Sequence, residues 1–319
     1  PNELTYVSII TACAISTSLL DGKIIHHMIV CNGLESNFIL ASAIVNMFGK
    51  CGCLKDAHRV FEKISQRTIV TWNTLITAYT QQGYGKEVLN LYSQMQLQDV
   101  RPTEVTFINV LSACGTLSYL SEGKSIHMNI SKHGLESHHI VGNALMSMYG
   151  KCGSLSDAFD TFRRMDNRDI VSWNAILAAY TQHGDHSEVF KLFEQMCHQG
   201  VKPDDITFIS ILSACSRAGL VLQGLQYFFS MSEDFGIEPR MEHYGCVIDL
   251  LGRAGQLEKV EDFIKKMPIS PDSVAWKSFL AACSLHCDRE KGQLVAESVF
   301  GYDTKEAPPY ILLSNICIQ

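Results

Sequence analysis

Apolar side chains recur along the chain with the period of an α-helix. Trp72, Leu75, Ile76 and Tyr79 stand at i, i+3, i+4 and i+7, and after the polar Gln-Gln-Gly-Tyr-Gly break that begins at Gln81, Val88, Leu91, Tyr92 and Met95 repeat the spacing. Each run predicts an amphipathic helix, and the short glycine-bearing break predicts a helical hairpin. Trp173, Ile176, Leu177 and Tyr180, followed by Val189, Leu192, Phe193 and Met196, give the same pair again, closed near Pro203 where a helix cannot continue. Ala57, Val60, Phe61 and Ile64 show the pattern in a shorter neighbour. A lone hairpin cannot bury both of its apolar faces. The copies must therefore stack, which predicts an all-α superhelical solenoid with a concave surface.

The copies are also alike in sequence. IVTWNTLITAYTQQG at Ile69 returns as IVSWNAILAAYTQHG at Ile170, an offset of 101 residues that also links Pro102 to Pro203, Cys13 to Cys114 and Cys114 to Cys215. The offset divides into blocks of 35, 31 and 35 residues. Blocks 3–37, 104–138 and 205–240 carry a TYVSIITAC-like pattern, 38–68 and 139–169 carry FGKCG or YGKCG, and 69–103 and 170–204 carry WNTLI or WNAIL; a block 241–272 follows.

In these blocks the chain resembles the pentatricopeptide repeat family, and within it the PLS subclass, whose long, short and standard motifs alternate in this order. The resemblance implies a right-handed solenoid. MEHYGCVIDLLGRAGQLEKVEDFIKKMPISPD at Met241 looks like the variant short motif that closes such arrays, and SVAWKSFLAACSLH with PPYILLSNI in 273–319 resembles part of the E-type extension that follows. Pro1 and Asn2 match the tail of a preceding motif. Further repeats before them, and a longer extension after Gln319, are expected.

The resemblance also implies that the fifth and last residues of each short or standard motif face one base of single-stranded RNA, with the second residue against the base plane. The pairs are Ser42 with Thr68, Asn73 with Thr103, Asn143 with Asp169, and Asn174 with Asp204; the second residues are Ile39, Val70, Ile140 and Val171. The chemistry suits this task. An asparagine amide offers a donor and an acceptor, whereas a carboxylate only accepts and so favours the N3–H of uracil over the bare N3 of cytosine. Asn with Asp should read U, Asn73 with Thr103 should read C with tolerance of U, and Ser42 with Thr68 leaves room for a purine. Asn73, Asn174 and Asp204 also lie near helix starts, where such residues cap, and the two roles are compatible. Val7, Ile108 and Ile209 hold the fifth place in the long motifs and cannot hydrogen-bond a base, although His138 and Arg240 at the motif ends could touch phosphate or base. In the closing motif Gly245 replaces the amide, leaving Asp272 without its partner. Trp72, Trp173 and Trp276 fall on apolar faces and are expected in the core rather than under bases.

Composition narrows the chemistry further. Hydrophobic residues make up 46% of 319, enough for a continuous core, and no apolar run is long enough to span a bilayer. A formal charge of −7 argues against a non-specific coat on nucleic acid, which needs a broad basic surface. The twelve cysteines recur inside helical segments and are expected as reduced core residues; the Cys283, His286 and Cys287 cluster lacks a second pair at zinc spacing. Relatives that end in a cytidine deaminase need H-x-E followed by P-C-x-x-C. His186 and Glu188 spell H-x-E, but no CxxC follows, so neither catalysis nor a metal or other cofactor is expected of this chain.

The leading expectation is a site-recognition factor for C-to-U editing of organellar RNA, in a mitochondrion or chloroplast, with accessory editing factors as partners and a deaminase supplied by a missing region of the protein or by another chain. RNA processing, stabilisation or splicing is the alternative within the same class. A protein-binding scaffold like the tetratricopeptide solenoids is the alternative outside it. The recurrence of Asn at the fifth place with Asp at the last argues against that scaffold.

Overall fold

The computed structural model describes residues 1–34 and 37–302, which form eighteen α-helices and no strand. The chain divides after Asn167 into two compact units. The first holds α1 (Glu3–Ser16), α2 (Leu19–Cys31), α3 (Phe38–Lys50), α4 (Leu54–Glu62), α5 (Ile69–Gln81), α6 (Gly85–Leu97), α7 (Glu104–Leu117), α8 (Leu120–Lys132), α9 (His139–Lys151) and α10 (Leu155–Arg164). The second holds α11 (Ile170–Gln182), α12 (His186–His198), α13 (Asp205–Ala218), α14 (Val221–Glu233), α15 (Met241–Arg253), α16 (Leu257–Lys266), α17 (Ser273–Leu285) and α18 (Arg289–Tyr302). The Pro-Pro-Tyr segment from Pro308, assigned to the extension, lies outside the described residues.

Within each unit consecutive helices pair as hairpins, and the first helix of each hairpin also lies against the first helix of the next. Thus α1, α3, α5, α7 and α9 form one row, and α11, α13, α15 and α17 another. This is the architecture of a repeat solenoid, in which each unit touches only its neighbours. The turns follow from local chemistry. After α5 and α11 the backbone passes through Gly83 at φ 78° and Gly184 at φ 77°, a left-handed conformation that glycine adopts without a Cβ clash.

The apolar stripes meet between the helices. Trp72 and Trp173 are buried, and Trp72 takes an edge-to-face contact with Phe61 at 4.8 Å. Burial of such a ring is worth about 1.5–3 kcal/mol. Trp276 differs from the expectation, being only half-buried, where it lines a cleft with Phe279 and Leu294. Cys13, Cys114, Cys215 and Cys283 are buried free thiols, while Cys31, Cys197 and Cys287 are exposed. Burial pushes the thiols of Cys114, Cys215 and Cys283 up to about 12. No described helix is long and apolar enough to cross a membrane.

Adjacent first helices approach closely at two glycines. A Cβ on Gly49 of α3 would stand 2.5 Å from Ala78 Cβ of α5, and one on Gly252 of α15 would stand 2.6 Å from Ala282 Cβ of α17. Only glycine opposite alanine fits there.

Candidate nucleic-acid interface

Each first helix begins on a polar residue whose backbone is extended. Thr68, Thr103, Asp169, Asp204 and Asp272 are the N-caps of α5, α7, α11, α13 and α17. The carboxylates accept from the backbone three residues on, Asp169 from Ser172 N at 2.9 Å, Asp204 from Thr207 N at 2.9 Å and Asp272 from Ala275 N at 2.8 Å. Such caps contribute about 1 kcal/mol each. Asn73 and Asn174 are the fifth residues of α5 and α11, one turn inside the caps, so the capping alternative does not apply to them. It does apply to Asp204.

The fifth residue of one helix and the cap of the next first helix are brought together in two places. Asn73 Nδ2 donates to Thr103 Oγ1 at 2.9 Å, and Asn73 Oδ1 accepts from Thr106 Oγ1 at 2.7 Å. Asn174 Nδ2 donates to Asp204 Oδ1 at 2.9 Å and Oδ2 at 3.1 Å, and its Oδ1 accepts from Thr207 Oγ1 at 2.7 Å. Thr207 Oγ1 also accepts from Asp204 N at 3.2 Å, closing a three-residue network. Asn174 is 8% exposed, so its amide is held in one orientation.

Other pairs are arranged differently. Ser42 Oγ donates to the Phe38 carbonyl of its own helix at 2.7 Å, while Thr68 accepts from Thr71 N at 3.4 Å. Asn143 lies in the first unit, where its Oδ1 is buried with no hydrogen-bond partner. Asp169 lies in the second, where Ser172 Oγ donates to it at 2.8 Å. Of the long-motif residues, His138 Nε2 stands 3.6 Å from Glu104 Oε1 and Arg240 Nη1 stands 2.6 Å from Asp205 Oδ2. Both side chains named as phosphate or base contacts thus face carboxylates of their own unit.

Beside the polar network runs an aliphatic feature. Ile39, Val70, Ile140 and Val171 are 49%, 61%, 48% and 55% exposed, each the second residue of its helix. Val105, Ile206 and Val274 repeat this at α7, α13 and α17. A single exposed valine needs no explanation, but one at the same place in helix after helix makes an aliphatic row along the first helices within each unit. Val70 and Val105 flank Asn73 in a groove of about 320 Å³, where Lys50 is the cation. A wider groove of about 500 Å³ lies along α13, α15 and α17, between Ile209 and Val274. It contains Arg217 and Arg253, the latter donating to Asp249 at 2.8 Å.

Sequence reasoning missed Thr106 and Thr207, which orient the two amides. The signal was present, since Thr5, Thr106 and Thr207 are spaced by the same 101 residues.

Comparison with known proteins places this geometry in a family. The model described as PPR repeat family matches residues 67–116 and 168–217, and that described as PPR repeat matches 40–69, 143–170, 206–234 and 242–270. Pentatricopeptide repeat-containing protein At2g33680 of Arabidopsis thaliana is 38% identical over 316 residues, covering 99% of this chain and 44% of that protein. At5g43790 of the same organism is 37% identical over 322 residues, covering 99% and 69%. The chain thus spans less than half of the first relative and about two thirds of the second. Among solved structures, PPR10 from maize superposes with a TM-score of 0.75 at 16% identity, and PPR10 in complex with an 18-nt psaJ RNA element with 0.80 at 16%, covering all of this chain and 47% and 48% of those chains. With repeat matches in both units, and relatives aligned over nearly its whole length, the chain belongs to the pentatricopeptide repeat family.

Proposed function

We propose that the chain binds single-stranded RNA in a sequence-specific manner, one base per short or standard repeat, and recognises sites for C-to-U editing of organellar RNA. The observation that carries this reading is the network of Asn174, Asp204 and Thr207 beside exposed Val171. It presents a fixed polar edge next to an aliphatic wall, which a base can meet with its own edge and face. In this reading Asn143 with Asp169 reads the base next to that of Asn174, Asn73 with Thr103 the base two places 5′ of the Asn143 base, and Ser42 with Thr68 a purine beyond that.

The structural neighbour PPR10 has been solved with an RNA element, which supports RNA as the ligand class. Several relatives carry "chloroplastic" in their names, which supports an organelle as the place of action. Blocks alternating at 35, 31 and 35 residues support the PLS subclass, and residues 273–319 the E-type extension. In this reading the chain supplies the specificity, while the deaminase comes from a further segment of the protein or from another chain.

Selection from a random single-stranded RNA pool tests the proposal. The expected winner carries purine, then C or U, any base, U and U in 5′ to 3′ order. Enrichment of no motif, or of duplex RNA, would overturn it.

A further inference from the structure

Four residues beyond Asn73 on α5, about 6 Å along the axis, a second polar rung lies in the groove of about 320 Å³. Thr71, Thr74 and Thr80 of the same helix spend their hydroxyl protons on the carbonyls of Thr68, Val70 and Ile76, at 2.8, 2.8 and 2.9 Å. Thr77 does not. Its Oγ1 accepts from Asn109 Nδ2 of α7 at 3.1 Å, and Asn109 is held in place by a further bond to the Val105 carbonyl at 2.8 Å. The hydroxyl proton of Thr77 is therefore left for another acceptor. Asn46 of α3 lines the same groove, half-buried, and its amide has no hydrogen-bond partner among the described residues. Ala78, packed against Gly49, closes the floor between the two helices. Lys50 stands one turn beyond Asn46.

We propose that Asn46 and Thr77 form a ribose-selecting site, which recognises the 2′-hydroxyl of the nucleotide whose base meets Asn73 and so rejects DNA there. The inference rests on the RNA-binding reading above and deepens it. A nucleotide carries base edge, ribose and phosphate in that order. Along the helices the groove carries, in the same order, the Asn73 amide, two uncommitted polar groups and the Lys50 cation. A 2′-hydroxyl both donates and accepts. It can donate to Asn46 Oδ1 and accept from Asn46 Nδ2 or from the Thr77 hydroxyl. Deoxyribose would leave these half-buried groups without a partner, which costs more than the bond alone is worth. Every ribonucleotide carries the same hydroxyl, so this contact says nothing about which base is chosen. The copy of the repeat at α11 lacks it, since Ala178 stands 101 residues after Thr77. Ribose selection is thus expected opposite Asn73 and not opposite Asn174.

The test titrates the full chain with a single-stranded RNA carrying C opposite Asn73 and U opposite Asn174. Replacing the one nucleotide opposite Asn73 by its 2′-deoxy form should weaken binding about five- to tenfold, whereas the same change opposite Asn174 should cost less than about twofold. Asn46→Ala and Thr77→Ala, the second copying Ala178, should each remove most of the penalty opposite Asn73. Circular dichroism checks that both variants fold, and their preference for C over a purine opposite Asn73 should survive. If the deoxy penalty is absent, equal at the two nucleotides, or unchanged in both variants, the ribose site is wrong, while base selection opposite Asn73 and Asn174 keeps the RNA reading. Loss of base selection at both nucleotides in the wild type would overturn both.

Discussion

Asn174 and Asp204, thirty residues apart in sequence, are joined by two contacts from one amide nitrogen to both carboxylate oxygens, at 2.9 Å and 3.1 Å. The same carboxylate caps α13, so one side chain holds a helix start and the amide of the preceding first helix.

Asp204→Asn separates those tasks. Asparagine caps about as well as aspartate, so thermal stability should move little. The substituted amide can donate as well as accept, so the repeat should lose its discrimination of U from C, by about 1 kcal/mol. Competition between two RNAs differing at that nucleotide measures it. An unchanged U/C ratio would remove Asp204 from the reading edge.

Thr207→Val tests the support behind the edge. Thr207 is fully buried, and its hydroxyl is the donor to Asn174 Oδ1. Valine matches its shape and leaves that oxygen without this donor, which should cost about 1–3 kcal/mol in urea unfolding. Thr207→Ser should restore most of the loss. Equal stability of the valine and serine variants would show that the hydroxyl contributes nothing.

Val171→Ser, at a position 55% exposed, should leave the unfolding midpoint within about 0.5 kcal/mol of wild type. RNA affinity should fall several-fold, since the aliphatic wall against the base is lost. A drop in stability with unchanged affinity would mark Val171 as a structural residue.

Gly252→Ala should destabilise the second unit although alanine is the better helix former. The added methyl would stand 2.6 Å from Ala282 Cβ, and overpacking of this kind costs about 1–3 kcal/mol against about 1 kcal/mol gained in propensity. Combining it with Ala282→Gly should relieve the clash, and urea midpoints of the three variants check the pattern.

The buried thiols give a pH dependence. Cys114, Cys215 and Cys283 hold their protons to about 12 when folded, above the ordinary thiol value of 9.0. A pKa raised by folding means that the native state binds more protons in this window. Their contribution is complete below pH 9 and is lost as pH climbs toward 12. A triple Cys→Ala variant should therefore show a flatter decline in stability between pH 9 and pH 11 than wild type.

Much of this was legible in the sequence because a repeat states the same physics several times. The i, i+3, i+4 spacing at Trp72 and Trp173 identified helices, and the 101-residue offset brought Asn73 and Asn174 into one register. Less legible was anything that depends on neighbours across helices. Threonine at 106 and 207 looks unremarkable inside a helix, and its importance comes from an amide over thirty residues away. The capping ambiguity at Asn174 had the same origin, since a helix start is fixed by an extended φ and ψ at Asp169 rather than by composition.

In the proposed reading, the letter at the end of each repeat is also the foundation stone of the helix that follows, since Thr68, Thr103, Asp169, Asp204 and Asp272 are all N-caps. Ser, Thr, Asn and Asp, with Gly close behind, do that second job best. The vocabulary with which such a chain can address RNA is therefore bounded by what a helix will accept at its start. A redesign that swaps letters within this set should alter the target and leave the fold alone, whereas any letter outside it would rewrite the message by loosening the page.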